Sequence, residues 1–400
     1  MTKQPRSTDD VLWPGSAFAR LRDLLKDLKP GTDPLDLAIG EPQFAPPSFV
    51  AEVMGAGDAD YRPYPPVNGT DEFRKAVHAW LARRYEGSDA LIDPDTQIMP
   101  VCGTREALFL VAQVAIPPTP SPDPRPVVLI PNPFYQPYGA AAVAVRAEVI
   151  YVPAPAENNF LPDFTGLPEE TLSRTRLVYL CTPVNPQGSV ASFDYLSNLL
   201  QAARQYDFTL VVDECYAEIY DTDPPPGALD AAIQSGSLDN LLIFHSLSKR
   251  SNLAGLRSGF CAGDIKLMQR FRSLRLLGSP QMPLPALSAS ARVWADETCP
   301  QENRERYRAN LDCAERIIGN RFGFYRPSGG FFLWLDVGDG EHAARTLWTQ
   351  AGVRVLPGRY LSQDDPTVSG GNPGASYIRV ALVHDEKTTA EALTRLAQTL

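Results

Sequence analysis

Short apolar runs recur through the middle of the chain, and stretches with helical spacing of apolar residues separate them. The runs are Val127 to Ile130, Glu148 to Val152, Leu177 to Leu180, Thr209 to Val212 and Leu241 to Phe244. They are rich in Val and Leu on both faces, as strands buried on both sides must be. Strands of this kind alternating with helices predict an α/β fold with a mainly parallel central sheet flanked by helices.

The pattern changes after about residue 290. A long helical stretch passes through Glu302 to Ile318, and an apolar strand is predicted from Gly329 to Leu335, followed by helix, strand, loop and a closing helix. We therefore predict a large α/β domain over residues 46–288 and a smaller α+β domain formed by residues 1–45 and 289–400.

Composition and charge narrow the classes of function. Of 400 residues, 44% are hydrophobic and 21% are charged, which favours neither disorder nor a membrane protein. The net charge is −10 without a compensating basic run, so we expect no nucleic-acid partner. Arg20 and Arg22 lie among leucines, which predicts an amphipathic helix near the N-terminus rather than a signal peptide, and we expect a cytoplasmic protein. The six cysteines stand singly, so we expect no metal site.

The candidate chemistry begins directly after the run Leu241 to Phe244. Ser246, Ser248 and Lys249 stand there, and Arg257 follows eight residues after the lysine. Hydroxyls and a guanidinium can hold a phosphate dianion while the amine lies nearby. Taken alone, the segment also fits an exposed lysine beside loop serines.

Three further segments carry polar residues at the ends of predicted strands. Asp213 follows Thr209 to Val212, where a carboxylate is costly unless it has a cationic partner. Asn185 lies in a Pro- and Gly-containing turn after Leu177 to Leu180, and Gly103 precedes a predicted helix whose free N–H groups favour phosphate. Each segment alone also fits an ordinary cap, turn or helix start.

In this order along the chain, the segments resemble the class I and II aminotransferases of fold type I, which use pyridoxal phosphate. The resemblance implies that Lys249 binds the cofactor covalently and that Asp213 contacts the ring nitrogen. It implies that Tyr216 and Asn185 contact the phenolic oxygen of the ring and that Tyr135 stacks on its face. The remaining cofactor contacts that it implies are Gly103, Thr104, Arg105, Ser246, Ser248 and Arg257.

The same resemblance extends to both ends of the chain. Tyr64, in the segment Tyr64 to Gly69, matches a tyrosine that reaches the phosphate of a neighbouring subunit, which implies a homodimer with shared active sites. Arg379, in Tyr377 to Val380, matches the arginine that takes the substrate carboxylate, with Gly40 and Asn185 beside it. The implied substrates are an amino acid and a 2-oxo acid.

Longer stretches are similar to the succinyldiaminopimelate aminotransferases of bacterial lysine biosynthesis. These stretches are Ser246 to Phe260 and Leu356 to Leu361. The likeness implies amino-group transfer between N-succinyl-LL-2,6-diaminopimelate and 2-oxoglutarate. Leu276 to Pro283 departs from the pattern of that group, which leaves the pocket for the acyl end of the substrate open.

Three other functions remain open at this point. A broader aminotransferase for aspartate, alanine or aromatic amino acids would use the same scaffold, and a carbon–sulfur lyase would use the same lysine and phosphate site. A non-catalytic effector domain of a transcription regulator would need a basic DNA-binding segment upstream, and we do not expect one in the residues before Gly40.

Overall fold

A computed structural model describes residues 15–55, 61–118, 124–368 and 370–400. The strands are β1 (Leu35–Asp36), β2 (Ile98–Val101), β3 (Val127–Asn132), β4 (Glu148–Pro153), β5 (Thr175–Cys181), β6 (Thr209–Asp213), β7 (Leu241–Ser246), β8 (Gly259–Gly263), β9 (Phe332–Asp336), β10 (Val353–Arg354), β11 (Leu356–Pro357) and β12 (Tyr377–Ala381). The α-helices are α1 (Ala17–Leu25), α2 (Phe49–Gly55), α3 (Asp71–Arg84), α4 (Ser88–Leu91), α5 (Pro94–Gln97), α6 (Thr104–Ala115), α7 (Gln136–Ala144), α8 (Glu169–Arg174), α9 (Phe193–Tyr206), α10 (Ala228–Ser235), α11 (Leu247–Arg250), α12 (Ile265–Gly278), α13 (Leu284–Ala295), α14 (Thr298–Ile318), α15 (Gly340–Thr346) and α16 (Glu386–Thr399).

The largest sheet has seven strands in the order β2-β8-β7-β6-β5-β3-β4. Strand β8 runs antiparallel to both of its neighbours, β2 and β7. The five strands β7, β6, β5, β3 and β4 run parallel to one another. Strands β3 to β7 contain the five apolar runs seen in the sequence, each at full or slightly greater length. The predicted mainly parallel sheet flanked by helices is confirmed.

Helices cover both faces of this sheet. Leu210 and Val212 of β6 pack into a core with α3, α10 and α13, whereas Val211 between them packs into a core with α6, α7 and α12. Successive side chains of a strand point to opposite faces, so burial of both faces requires an uninterrupted apolar run.

A third core lies between two small sheets and the C-terminal helices. Strand β12 pairs antiparallel with β11 and β9, and β1 pairs parallel with β10. Leu311 of α14, Leu335 of β9 and Leu393 of α16 belong to this core. Helix α1 buries Ala17, Leu21 and Leu25, whose spacing of four confirms the predicted amphipathic helix.

Two predicted boundaries differ from the structure. The strand expected from Gly329 begins at Phe332, because the N–H groups of Gly329 and Gly330 donate to loop carbonyls at 3.0 and 2.7 Å instead of joining the sheet. The long helix through Glu302 begins earlier, at Thr298.

The predicted domain boundary between residues 288 and 289 falls inside α13. Residues of this helix on both sides of that point, such as Leu287 and Trp294, belong to the same core as β6. The division into two domains stays a prediction. In the part of the chain that the structure describes, no helix combines the length and the apolar character that crossing a membrane requires.

Candidate active site

Residues singled out from the sequence meet at one edge of the large sheet. Strands β5, β6 and β7 are parallel, so their carboxyl ends reach the same edge, where α/β folds place their binding sites. Asp213 ends β6, Ser246 ends β7, and the turn with Asn185 follows β5. The start of α6 reaches this cluster, because Thr104 Oγ1 lies 3.1 Å from the Sγ of Cys215, which follows Asp213 by two residues.

Asp213 is a buried carboxylate whose oxygens are both hydrogen-bonded. The Tyr138 hydroxyl donates to Oδ2 at 2.7 Å, and the Cys215 N–H donates to Oδ1 at 3.2 Å. Burial raises the pKa of Asp213, although these two donors oppose the rise. Among the described residues, no lysine, arginine or histidine lies within ion-pair distance of it. The pocket therefore holds a buried acid that a cationic group would stabilise.

Tyr138 was not identified from the sequence. It lies on α7, three residues after Tyr135, and its ring stacks on Tyr179 with centroids 4.6 Å apart. The sequence could have indicated Tyr138, because it lies one helical turn after Tyr135, the residue predicted to stack on the cofactor ring.

Lys249 is held at the start of the chain segment that follows β7. The Ser246 hydroxyl accepts from the Ser248 N–H at 3.1 Å and thereby caps the short helix α11, which carries the lysine. The Lys249 amine donates to the carbonyl of Gly40 and lies 5.6 Å from the centre of the Phe331 ring. Burial lowers the pKa of Lys249 to about 8, so its neutral form is accessible near neutral pH.

Arg379 lies on β12, a strand of the third core, and reaches the same region from there. Its guanidinium donates to Asn185 Oδ1 at 2.9 Å and to the Ala38 carbonyl at 2.7 Å, and it lies over the ring of Phe332. Burial lowers the pKa of Arg379 to about 10. In the described part of the chain its acceptors are neutral oxygens and its Nε has no partner, so the site offers a buried cation for a carboxylate.

Gly103 and Arg257 form the wall beside the start of α6. A Cβ on Gly103 would lie 1.9 Å from Nη2 of Arg257, and Gly103 has a φ of +79°, so both space and backbone require glycine. Arg257 donates to the Ala254 carbonyl at 2.9 Å. A guanidinium against the N-terminus of a twelve-residue helix suits a phosphate.

Three predicted tyrosines remain, of which Tyr135 and Tyr216 lie in the buried cluster and Tyr64 is exposed. Tyr135 accepts a hydrogen bond from Arg105 Nε at 2.7 Å, and Tyr216 is buried in edge contact with Phe331, 5.5 Å between ring centres. Burial raises the pKa of Tyr135 and of Tyr216, so both hydroxyls stay protonated at neutral pH. Tyr64 is fully exposed to solvent and apart from the cluster in the single chain.

The family model described as "Aminotransferase class I and II" matches residues 32–396. The chain belongs to this family. The prediction made from the sequence is confirmed, and with it an aminotransferase that uses pyridoxal phosphate and acts on amino acids and 2-oxo acids.

Relatives of this aminotransferase match over nearly its whole length. An LL-diaminopimelate aminotransferase from Dehalococcoides mccartyi is 31% identical over 92% of this chain and 91% of its own length. The 4-dedimethylamino-4-oxo-anhydrotetracycline transaminase OxyQ from Streptomyces rimosus is also 31% identical, over 90% of this chain and 92% of its own.

Solved structures give the same result. An aminotransferase from Neisseria meningitidis superposes with a TM-score of 0.91 at 38% identity, covering 97% of this chain and 98% of that one. A probable N-succinyldiaminopimelate aminotransferase from Thermus thermophilus has a TM-score of 0.82 at 23% identity, covering 96% and 100%. The second likeness shows the fold alone.

The residues present fit pyridoxal phosphate by their chemistry. A guanidinium at a helix N-terminus suits its phosphate, and a buried amine of lowered pKa suits its aldehyde. The buried carboxylate of Asp213 lacks a cationic partner among the described residues, which a protonated ring nitrogen would supply.

Proposed function

We propose that Lys249 of this aminotransferase would hold pyridoxal phosphate and that Asp213 would pair with the nitrogen of the cofactor ring. The observation that carries the proposal is the Lys249 amine, with a pKa of about 8, on the short helix α11 that directly follows β7. Strand β7 is the neighbour of β6, which ends in the buried acid Asp213. Bound pyridoxal phosphate supplies an electron sink for the α-carbon of the amino acid.

We assign the other cofactor contacts from the resemblance to the family and from the location of these residues around Lys249 and Asp213. In the proposal, Asp213 keeps the ring nitrogen protonated, while Asn185 and the Tyr216 hydroxyl donate to the phenolic oxygen. Tyr135 lies on the ring face. The phosphate is held by residues at the start of α6 and around α11, namely Gly103, Thr104, Arg105, Ser246, Ser248 and Arg257.

Lys249 also moves the proton of the reaction. Its Nζ would take the proton from the substrate α-carbon and later release it, and bound pyridoxal phosphate would supply the electron sink that makes this carbon acidic. An amine whose pKa is about 8 can both accept and release a proton near neutral pH. The substrate carboxylate binds to Arg379, with Asn185 and the Gly40 segment beside it, and burial strengthens that ion pair.

The proposed donor is N-succinyl-LL-2,6-diaminopimelate and the acceptor is 2-oxoglutarate. The similarity of Ser246 to Phe260 and Leu356 to Leu361 to that group supports this choice. So does a relative named for LL-diaminopimelate, which differs from the donor by the succinyl group. Two relatives with equal identity are named for different substrates, so the donor must be measured.

We also propose a homodimer with shared active sites. The Tyr64 side chain is fully exposed in the single chain and is therefore free to contact a second copy. In this arrangement Tyr64 of the partner subunit reaches the cofactor phosphate. The cytoplasmic location stays a prediction.

The decisive experiment compares wild-type protein with Lys249→Ala. Wild-type protein should form a borohydride-trapped adduct at residue 249 and transfer amino groups, and the variant should do neither. A variant that kept the activity and gave a borohydride-trapped adduct at another residue would show that a different lysine holds the cofactor.

A donor panel then tests the substrate. N-succinyl-LL-diaminopimelate should give the highest kcat/KM, compared with LL-diaminopimelate, aspartate, alanine and phenylalanine. A preference for aspartate, alanine or phenylalanine would instead indicate an aminotransferase of broader specificity. Release of pyruvate and ammonia from cystathionine, without amino transfer, would indicate a carbon–sulfur lyase.

A further inference from the structure

A group of buried ionisable side chains lies on the face of the large sheet opposite Asp213. Asp213 of β6 is paired in register with Phe244 of β7, so the next residues of the two strands, Glu214 and His245, are also neighbours. Successive side chains alternate between faces, which turns Glu214 and His245 away from the cofactor side. His245 Nε2 lies 3.2 Å from Glu214 Oε2.

Glu214 joins four elements through its hydrogen bonds. Its Oε2 accepts from the Tyr85 hydroxyl at 2.7 Å, and its Oε1 accepts from the N–H of Ala228, the first residue of α10, at 2.8 Å. Its own N–H donates to the Phe244 carbonyl at 2.9 Å. Burial alone would raise the pKa of Glu214, but His245, Tyr85 and the Ala228 amide together hold that pKa below its ordinary value.

Water has little access to this group. Glu214 and His245 are each 2% exposed, and Tyr85 is fully buried. The His245 ring stacks on Phe260 and meets the edge of Trp80, with ring centres 5.1 and 4.9 Å apart. A buried polar contact of this kind often contributes less to stability than apolar residues of the same volume, so its value lies in fixing one geometry.

We propose that the Glu214–His245 pair, braced by Tyr85, positions the cofactor-binding ends of β6 and β7 relative to each other. Glu214 directly follows Asp213, and His245 directly precedes Ser246, which caps the helix that carries Lys249. A change in the distance between Glu214 and His245 therefore displaces Asp213 and the helix that carries Lys249 relative to each other. The proposal rests on the proposed function, because it assigns the cofactor to these two strand ends.

The test uses Glu214→Gln, His245→Gln and the double variant. We expect each single variant to lower kcat by about 10- to 100-fold with little change in KM, since displacements of about 1 Å have such effects. The double variant should be no slower than the slower single variant, because the two residues act as one unit. A further variant, Tyr85→Phe, removes the hydroxyl that donates to Glu214 at 2.7 Å. Tyr195→Phe is its matched control, since the Tyr195 hydroxyl also donates at 2.7 Å but to Pro162 on another part of the fold.

A second measurement does not require turnover. Titration of cofactor-free protein with pyridoxal phosphate should give a dissociation constant raised about tenfold in Glu214→Gln and unchanged in Tyr195→Phe. If wild-type protein binds the cofactor but transfers no amino group, the proposed function fails while the titration still tests the positioning unit.

Two results would overturn the proposal. One is a folded Glu214→Gln variant with the cofactor affinity and kcat of wild type. The other is a double variant in which the two losses in kcat multiply, which independent residues would give. If Glu214→Gln does not fold, Tyr85→Phe removes one donor and keeps the side chains of Glu214 and His245. An unchanged dissociation constant in that variant equally rejects the proposal.

Discussion

Replacement of Tyr138 by phenylalanine tests how the fold keeps Asp213 ionised. The substitution removes one hydroxyl that donates at 2.7 Å to a buried carboxylate and keeps the ring that stacks on Tyr179. A hydrogen bond to a charged group contributes about 1.5 to 3 kcal/mol. Because this bond favours the ionised form, its loss raises the pKa of Asp213 further, on top of the rise that burial already causes.

The expected result is a fall in kcat and a shift of the acidic limb of the kcat–pH profile to higher pH. The limb moves to higher pH because the Asp213 carboxylate becomes protonated at higher pH once the Tyr138 hydroxyl is lost. A protonated Asp213 would no longer stabilise a charged ring nitrogen. The profile is measured at saturating amino donor. Tyr179→Phe is the control, because its equally buried hydroxyl donates at 2.7 Å to the Leu108 carbonyl instead. An acidic limb at the same pH in Tyr138→Phe and Tyr179→Phe would refute the reasoning.

Three further predictions concern the other charged groups of the site. In cofactor-free protein, Lys249→Met should raise the free energy of unfolding at pH 7 by about 3 kcal/mol, since burial lowers the lysine pKa from 10.5 to about 8. The charged amine is the costly form, so this advantage should shrink as the pH rises from about 8 to 10.5, as denaturant unfolding of both proteins at several pH values would show. Arg379→Ala should raise the KM for the amino acid by a factor on the order of 100 while the cofactor still binds, because loss of a buried charged partner costs about 2 to 5 kcal/mol; a KM equal to that of wild type would place the carboxylate elsewhere. Gly103→Ala should weaken binding of pyridoxal phosphate about tenfold by displacing the Arg257 guanidinium. Gly236→Ala is its control, with a similar positive φ and open space around it, and equal cofactor affinity in the two variants would contradict the role of Arg257.

The local pattern of the sequence was sufficient for the framework of the fold. Apolar runs identified β3 to β7, because a strand covered by helices on both faces has few positions for a solvated side chain. Parallel strands end at one edge, so residues that follow them, such as Asp213 and Ser246, could be expected to meet without knowledge of the order of the strands. The resemblance of the motifs then gave the family, which the comparison with known families confirmed.

Only the tertiary structure decided which side chains touch. Arg379 meets Asn185 across 194 residues of sequence, and Tyr138 reaches Asp213 from a helix on another part of the chain. The Glu214–His245 pair depends on β6 and β7 being adjacent and in one register. The apolar pattern of the sequence indicates which positions of a segment are buried. The order of the strands, in contrast, is set by packing between segments that are distant in the sequence. The lowered pKa of Lys249 has the same origin, since the burial that causes it comes from elements brought together by the fold.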